Sequence, residues 1–477
     1  MRGRQGRWSD RPGPLRDDRL RRQPRGRRVL RGLRGCGPGL QPRDGILRAQ
    51  PLRPGLRLQS PLRHRGPGAA LRGGLGPRRS GAVSAAASAP SRRRATSLTV
   101  RILAAPLEFK GSLTAGQAAR AIEAGVRAGW PDAEVTALPL ADGGPGTADA
   151  LVEALAGQWH TAWAHDALGR PLQAQWASWP GGAIVEMALA SGLTLLAPAE
   201  RDARVTTTLG TGELITDALE SGVRSLLVGV GGSATNDAGA GALQALGYRF
   251  LDASGRTLPP GGAALRNLSR IVSDGVLPAV RETEMTVMTD VLNPLCGTTG
   301  ASAVYGPQKG ASPEDVEVLD AALAHFAEVV KRDLDVDAEH LPGTGAAGGL
   351  SYGLLVGCGA RISRGFEHLS KLLALDDRLQ GVDWVLTGEG RLDTQTLSGK
   401  GPLELARRAR RSGSGTRVVA FAGKIDPRAL EGEHPFDEAI QVSPPGWSES
   451  DPAARAGAAA LLTSAVEQWA RRTAHAR

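Results

Sequence analysis

From Val100 onward the apolar positions fall into short runs that alternate with amphipathic segments and glycine-dense loops. "TVRILAAP" is a brief apolar run closed by Pro106, the pattern of a buried strand. "SLTAGQAARAIEAGVRAGW" follows, with Ala118, Ile122 and Val126 at helical spacing and Ser112 or Thr114 as its cap. "EVTALPL" predicts a second strand leading into "ADGGPGT". A β-α-β opening of this kind implies parallel pairing, with ligand groups at the carboxyl ends of the strands.

Near residue 158 the period changes. "QWHTAWAHDALGRPLQAQWASW" alternates over two segments about a glycine-containing turn and predicts an antiparallel hairpin. "AIVEMA" adds a strand, "TGELITDALESG" a helix, and "SLLVGV" another strand. Further on, "SPEDVEVLDAALAHFAEVVKRDL" is a helix with Ser312 and Asp315 as a capping box, Pro313 in the first turn, and Val316, Leu319, Leu323, Phe326 and Val330 on one face. "VDWVLTG" and "RVVAFAG" are short strands flanking "PLELARRAR", again β-α-β. The expected architecture is α/β: a wound domain from 98–159 plus 286–477, interrupted by a mixed α/β domain over 160–285.

Composition changes the picture mainly at the N-terminus. The chain has 477 residues and a formal net charge of +10. Residues 1–97 carry 25 Arg against four acids, a net of +21, whereas the remainder carries 33 Lys and Arg against 44 acids, a net of −11. The leader has no sustained apolar period and is dense in Pro and Gly, so it is expected to be disordered. It reads as upstream text before the true start, and nucleic acid is not expected as a partner despite its charge. Cys36, Cys296 and Cys358 have no metal-ligand spacing, which suits a reducing, cytoplasmic setting. No run of about 18 apolar residues offers a membrane span.

Candidate chemistry concentrates in the glycine loops. "GVGGSATNDAGAGAL" (229–243) follows "SLLV" and meets the loose dinucleotide pattern, with Asp252 placed where a ribose-binding acid would stand. Against that reading, Gly239 and Gly241 weaken the following helix by roughly 1 kcal/mol each. Ser233, Thr235, Asn236 and Asp237 also crowd the place where a pyrophosphate needs bare amides. "LADGGPGTADA", "VTTTLGTGELI", "GTGAAGGLSYG" and "TGEGRLDTQTLSGKGP" are equally glycine-dense, and consecutive amides in such loops form anion-binding nests. No Walker A motif, G-x-S-x-G elbow or H-E-x-x-H helix occurs. Asp142, Asp237, Asp290, Glu389 and Asp393 stand at strand ends or in these loops, with Lys110, Lys309, Arg391 and Lys400 as cations. Anions for a divalent metal, a base, and cations against developing charge are what phosphoryl transfer requires. His165 is expected on the hairpin surface, and His368 in a structural place on an amphipathic helix.

In order along the chain, "AAPLEFKGSLTAGQAARAI", "PLADGGPGTADAL", "RVTTTLGTGELI", "GVGGSATNDAGAGALQALG", "TDVLNPLCGTTGASAVYGPQKGA", "GTGAAGGLSYGLL" and "VLTGEGRLDTQTLSGKGP" resemble the two-domain bacterial glycerate kinase family across nearly all of the chain after Val100. The resemblance implies a flavodoxin-like domain interrupted by a second α/β domain, Mg²⁺ and ATP as cofactors, D-glycerate as substrate and 2-phosphoglycerate as product. The alternatives are 3-phosphoglycerate as product, an NAD-dependent oxidoreductase, or a non-catalytic nucleotide sensor. Two departures stand out. The family's Ala-Pro-Asp-Ser before Phe-Lys is replaced by Leu107 and Glu108, and its "DGGEGT" carries Pro145.

For phosphoryl transfer the expected catalytic residues are Asp290, with Asp393 as its competitor, and Lys110. Ser233, Asn236, Asp237 and Arg391 would bind substrate. Gly345, Gly348, Gly349, Gly388, Gly390 and Lys400 would hold the triphosphate, and Glu389 or Asp142 the metal. Closure of the two domains would exclude water. A homodimer is left open.

Overall fold

In the computed structural model the described residues are 99–393, 401–413, 415–431, 433–444, 446 and 452–476. The leader and Lys400 lie outside them. Thirteen strands are present among the described residues. In chain order they are β1 (Arg101–Ala104), β2 (Glu134–Ala137), β3 (Gln158–His165), β4 (Pro171–Trp179), β5 (Gly182–Glu186), β6 (Ser225–Gly229), β7 (Arg249–Leu251), β8 (Arg270–Val272), β9 (Glu284–Met288), β10 (Arg361–Ser363), β11 (Trp384–Leu392), β12 (Arg417–Ile425) and β13 (Glu438–Gln441).

The first sheet runs β13-β12-β11-β1-β2, with every pairing parallel. Numbered within its own lobe this is the order 2-1-3-4-5, the flavodoxin-like arrangement, whose crevice opens between the first and third strands, here β1 and β11. Alternate residues of these strands feed opposite cores, as a sheet covered on both faces requires. Ile102, Ala104, Leu386 and Phe421 join the cluster beneath the helices Ala115–Gly129 and Pro452–His475. Leu103, Val385 and Ala420 face the other way, with Leu405 and Ala406 of the helix Gly401–Arg411. The two helices on the first face approach closely because a Cβ at Gly125 would lie 2.6 Å from the Thr463 carbonyl.

The second sheet runs β10-β9-β6-β5-β4-β3. The hairpin expected from the alternating tryptophans is β3–β4, antiparallel from Gln158↔Ser178 to His165↔Pro171, while β5, β6, β9 and β10 are parallel. One face packs Val185, Val228 and Val287 under the helices Leu209–Glu220 and Pro313–Leu334, the latter with the Ser312/Asp315 capping box. From the opposite face, Ala177, Ile184, Leu227 and Met288 share one apolar cluster with Leu103, Leu138, Leu151 and Phe366. The two lobes are thus joined through a common core.

Strand pairing moves one expected boundary. The first sheet does not resume at 286: β9 and β10, and the long helix between them, belong to the second sheet's lobe, and the first sheet returns at Trp384. The reason is register. Glu284–Met288 pairs in parallel with Ser225–Gly229, an edge that local periodicity does not reveal.

Candidate functional site

Beyond β1 the chain stays beside β11. Ala105 N donates to the Leu386 carbonyl (2.7 Å) and Leu107 N to that of Gly388 (2.9 Å), so Leu107–Lys110 lies along the segment that carries Glu389 and Arg391. Gly390 permits the approach, since a Cβ there would stand 3.0 Å from Lys110 N. Lys110 and Arg391 are exposed, Glu389 and Asp393 half-buried, and Arg391 Nε is 3.7 Å from Asp393 Oδ2. This is the carboxyl-end crevice of the first sheet, at its switch point.

The loop after β2 enters from the adjoining edge. Leu140 N donates to the Pro106 carbonyl (2.9 Å). Asp142 Oδ1 accepts from Gly144 N (3.1 Å), and Thr147 Oγ1 donates to the Gly144 carbonyl (2.6 Å). Gly143 and Gly146 have φ of 89° and 88°, a conformation that favours glycine. At Gly146 a Cβ would lie 3.2 Å from Glu108 Oε2, which puts the departing residue Glu108 against this loop. Burial pushes the Glu108 carboxyl above its ordinary range; Lys110 opposes the rise, and Asp142 and Asp149 add to it. Two cations and several carboxylates therefore share one crevice.

The same loop abuts the carboxyl ends of the second sheet. A Cβ at Gly143 would lie 3.0 Å from Gly365 Cα and 3.1 Å from Met288 Cβ, and one at Gly231 would lie 2.9 Å from Pro145 Cδ. Pro145, the other departure, is thus a contact between the lobes. Asp290 is exposed two residues past Met288, and half-buried Ser233 pairs with Gly192 two residues past Gly231. Glu186, at the end of β5, is buried, and its carboxylate accepts from Gly146 N (3.2 Å) and Ala148 N (2.8 Å). Sequence reasoning passed over Glu186. Its signal was a lone carboxylate in the otherwise apolar "AIVEMA".

Other expected residues lie elsewhere. Asp237 is fully buried and its oxygens are taken by its own lobe: Oδ2 accepts from Thr208 N, Thr208 Oγ1 and Gly241 N, and Oδ1 from Gly239 N. Burial raises its carboxyl and those hydrogen bonds oppose the rise. Asn236 is also buried, donating from Nδ2 to Ser302 Oγ (2.9 Å). Lys309 is buried and donates to the Thr235 carbonyl (2.6 Å), with burial pulling its ammonium down to about 7 against the pull of Asp237. These groups tie the 229–243 loop to its own lobe.

The glycines of "GTGAAGG" are also enclosed by protein backbone. A Cβ at Gly345 would lie 2.1 Å from the Pro294 carbonyl, at Gly348 2.0 Å from that of Thr235, and at Gly349 2.8 Å from Ala238 Cα. They let protein backbones meet, and all three are buried. Gly388 is similar, its Cβ space filled by the Phe421 carbonyl at 2.1 Å. The dinucleotide reading lacks its geometry. The helix after "GVGGSA" is only Ala240–Ala245, and Asp252 is engaged by Ser254 N, Arg256 N and the Arg256 guanidinium.

A flavodoxin-ordered sheet fused to a mixed lobe, with cations and carboxylates gathered at the switch point, defines a two-lobed α/β protein of the kind that binds ligands in that crevice. The chain belongs to the glycerate kinase family, whose model matches residues 102–474. It is 42% identical over 346 residues to a glycerate 2-kinase of Escherichia coli (strain K12), covering 72% of this chain and 90% of that relative. It is 42% identical over 349 residues to a glycerate kinase of Bacillus subtilis (strain 168), covering 72% and 91%. A crystal structure assigned to glycerate kinase 2 of Salmonella typhimurium LT2 superposes with a TM-score of 0.72 at 42% identity, covering 79% of this chain and 98% of that one. The protein is a kinase, and ATP use follows from the family. No helix among the described residues is long and apolar enough to cross a membrane.

Proposed function

We propose that this chain transfers the γ-phosphoryl group of ATP to the 2-hydroxyl of D-glycerate. The observation that carries the reading is the convergence of Lys110, Glu108 and Asp142 with the 389–393 segment at the β1/β11 crevice of a chain in this family.

The donor set suits Mg²⁺. Glu108, Asp142 and Asp149 lie close enough for the two aspartates to raise the Glu108 carboxyl, and a hard divalent cation on carboxylate oxygens would relieve that repulsion. Asp142 and Glu389 would hold the ion, which when bound would neutralise charge on the phosphate oxygens. Lys110 and Arg391 would face the negative charge of substrate carboxylate and phosphate. Ser233 would hydrogen-bond a glycerate hydroxyl. In the reaction the acceptor oxygen bonds to the γ-phosphorus as the bond from that phosphorus to the bridging oxygen breaks. Asp290 would take the hydroxyl proton, with Asp393 orienting Arg391. ADP leaves with the cleaved bridging oxygen.

A coupled ADP-release assay with D-glycerate and Mg²⁺, followed by phosphorus NMR of the product, tests the reading. Glycerate-dependent ADP release and a secondary phosphate ester are expected. A primary ester would overturn the assigned acceptor oxygen, and failure of glycerate to stimulate ADP release would overturn the substrate.

A further inference from the structure

We infer that Glu186 is a positioning residue, by which the second lobe caps the helix Thr147–Ala154 and thereby fixes the Asp142 loop in the crevice. This rests on the phosphotransfer reading above and extends it to a residue that touches no reactant. Glu186 ends β5 in the second sheet, whereas Gly146 and Ala148 belong to the first lobe, between β2 and the helix core. Both carboxylate oxygens are used, Oε2 by Gly146 N (3.2 Å) and Oε1 by Ala148 N (2.8 Å).

The helix has no cap of its own. Its cap residue is Gly146, with φ 88° and no side chain to accept from the first-turn amides. The "DGGPGT" sequence therefore leaves orphan donors that ordinarily take a Ser, Thr, Asp or Asn side chain from the preceding residue. Acceptor oxygens from elsewhere in the chain can satisfy such amides in place of a cap side chain. Here a carboxylate 38 residues further along the chain does so, from the other lobe. Asp142 is held to the same loop through Gly144 N, and Thr147 is held to Gly144 O, so the anchored helix start and the candidate metal ligand form one short, internally bonded segment.

The charged groups around this anchor are Asp149 on the helix itself, and Glu108 with Lys110 on the opposite side of Gly146. Burial pushes the Glu186 carboxyl up to about 7, with the amides of Ala148 and Gly146 opposing and Asp149 adding to the rise. Such a group is retained in a closed interface only where its hydrogen bonds are made, which agrees with the geometry.

The test compares wild type, Glu186→Ala and Glu186→Gln in the full chain by steady-state kinetics and by amide hydrogen exchange at residues 146–150. Ala removes both acceptors; Gln keeps one carbonyl. We expect Glu186→Ala to lower kcat about tenfold, to leave the KM for ATP within about twofold, and to speed exchange at Gly146 and Ala148. Glu186→Gln should restore most of kcat and of the protection. Unchanged exchange in Glu186→Ala, or a Gln variant no better than Ala in kcat and protection, would overturn the inference. Should wild type itself release no ADP with glycerate, the functional reading fails, and the exchange data alone still decide whether Glu186 anchors the loop.

Discussion

Two residues carry the sharpest consequences. Asp290 stands exposed past the end of β9, on the second lobe's side of the loop that carries Asp142. If it accepts the hydroxyl proton, Asp290→Asn should lower kcat by roughly 10²–10⁴-fold, the usual worth of positioned base catalysis, with an unchanged far-UV spectrum and melting temperature. Wild-type turnover in that variant would remove it from the reaction. Glu186 makes a different, pH-dependent prediction. Its carboxyl is raised from 4.5 to about 7 in the folded protein, chiefly by burial, so the folded state holds this proton more tightly than the unfolded state does. Its contribution to stability is fully present below about 4.5, falls as pH rises through the window, and is level above about 7. Denaturant unfolding of wild type and Glu186→Gln between pH 4.5 and 8 should therefore show the wild type losing stability relative to the variant as pH rises. A constant difference would mean that the carboxyl does not titrate there.

At the scale of elements, periodicity was a good guide to type and a poor one to partners. The alternating tryptophans gave β3 and β4, the Ser312/Asp315 box gave the long helix, and "VDWVLTG" and "RVVAFAG" gave β11 and β12. Short apolar runs such as "EMTVM" carry no mark of the sheet they will join, because parallel partners are chosen by contacts far apart in sequence; β9 therefore went unassigned to the second sheet. The glycine loops were legible as special backbone but not as to what approaches it. Around the crevice, Gly390 makes room for the Lys110 turn, whereas Gly348 makes room for the Thr235 carbonyl. Asp237 likewise has the sequence context of a ligand group and the environment of an internal cap, its oxygens filled by the amides of its own lobe. This distinction is testable. Gly348 has φ 66° and no space for a methyl, so Gly348→Ala should destabilise the protein by about 2–4 kcal/mol in denaturant unfolding through strain and overpacking. The folded fraction should keep its KM for ATP. An ATP KM raised tenfold without loss of stability would return Gly348 to the nucleotide.

At the scale of the molecule, the question is whether the lobes close over substrate. Two-domain enzymes often exclude water by hinge motion, and the sequence led us to expect this. The structure argues for a smaller movement. Ala177, Ile184, Leu227 and Met288 of the second sheet are packed in one cluster with Leu103, Leu138 and Leu151 of the first lobe, and Pro145 and Glu186 fasten the crevice loop across the same boundary. Interdomain motion is the default only where the interface is small or polar, and rotating these lobes would expose buried leucine, isoleucine and methionine to water at about 25 cal/mol for each Å². Water exclusion would then fall to side chains and short segments around the crevice, among which Lys110, Arg391 and Asp290 are exposed. Small-angle scattering with and without D-glycerate and a non-hydrolysable ATP analogue should accordingly give the same radius of gyration within error, while hydrogen exchange slows at residues 108–111 and 388–392. A clear contraction in scattering would show that the apolar cluster between the sheets slides rather than locks, and would make the Glu186 anchor a hinge contact instead of a fixed one.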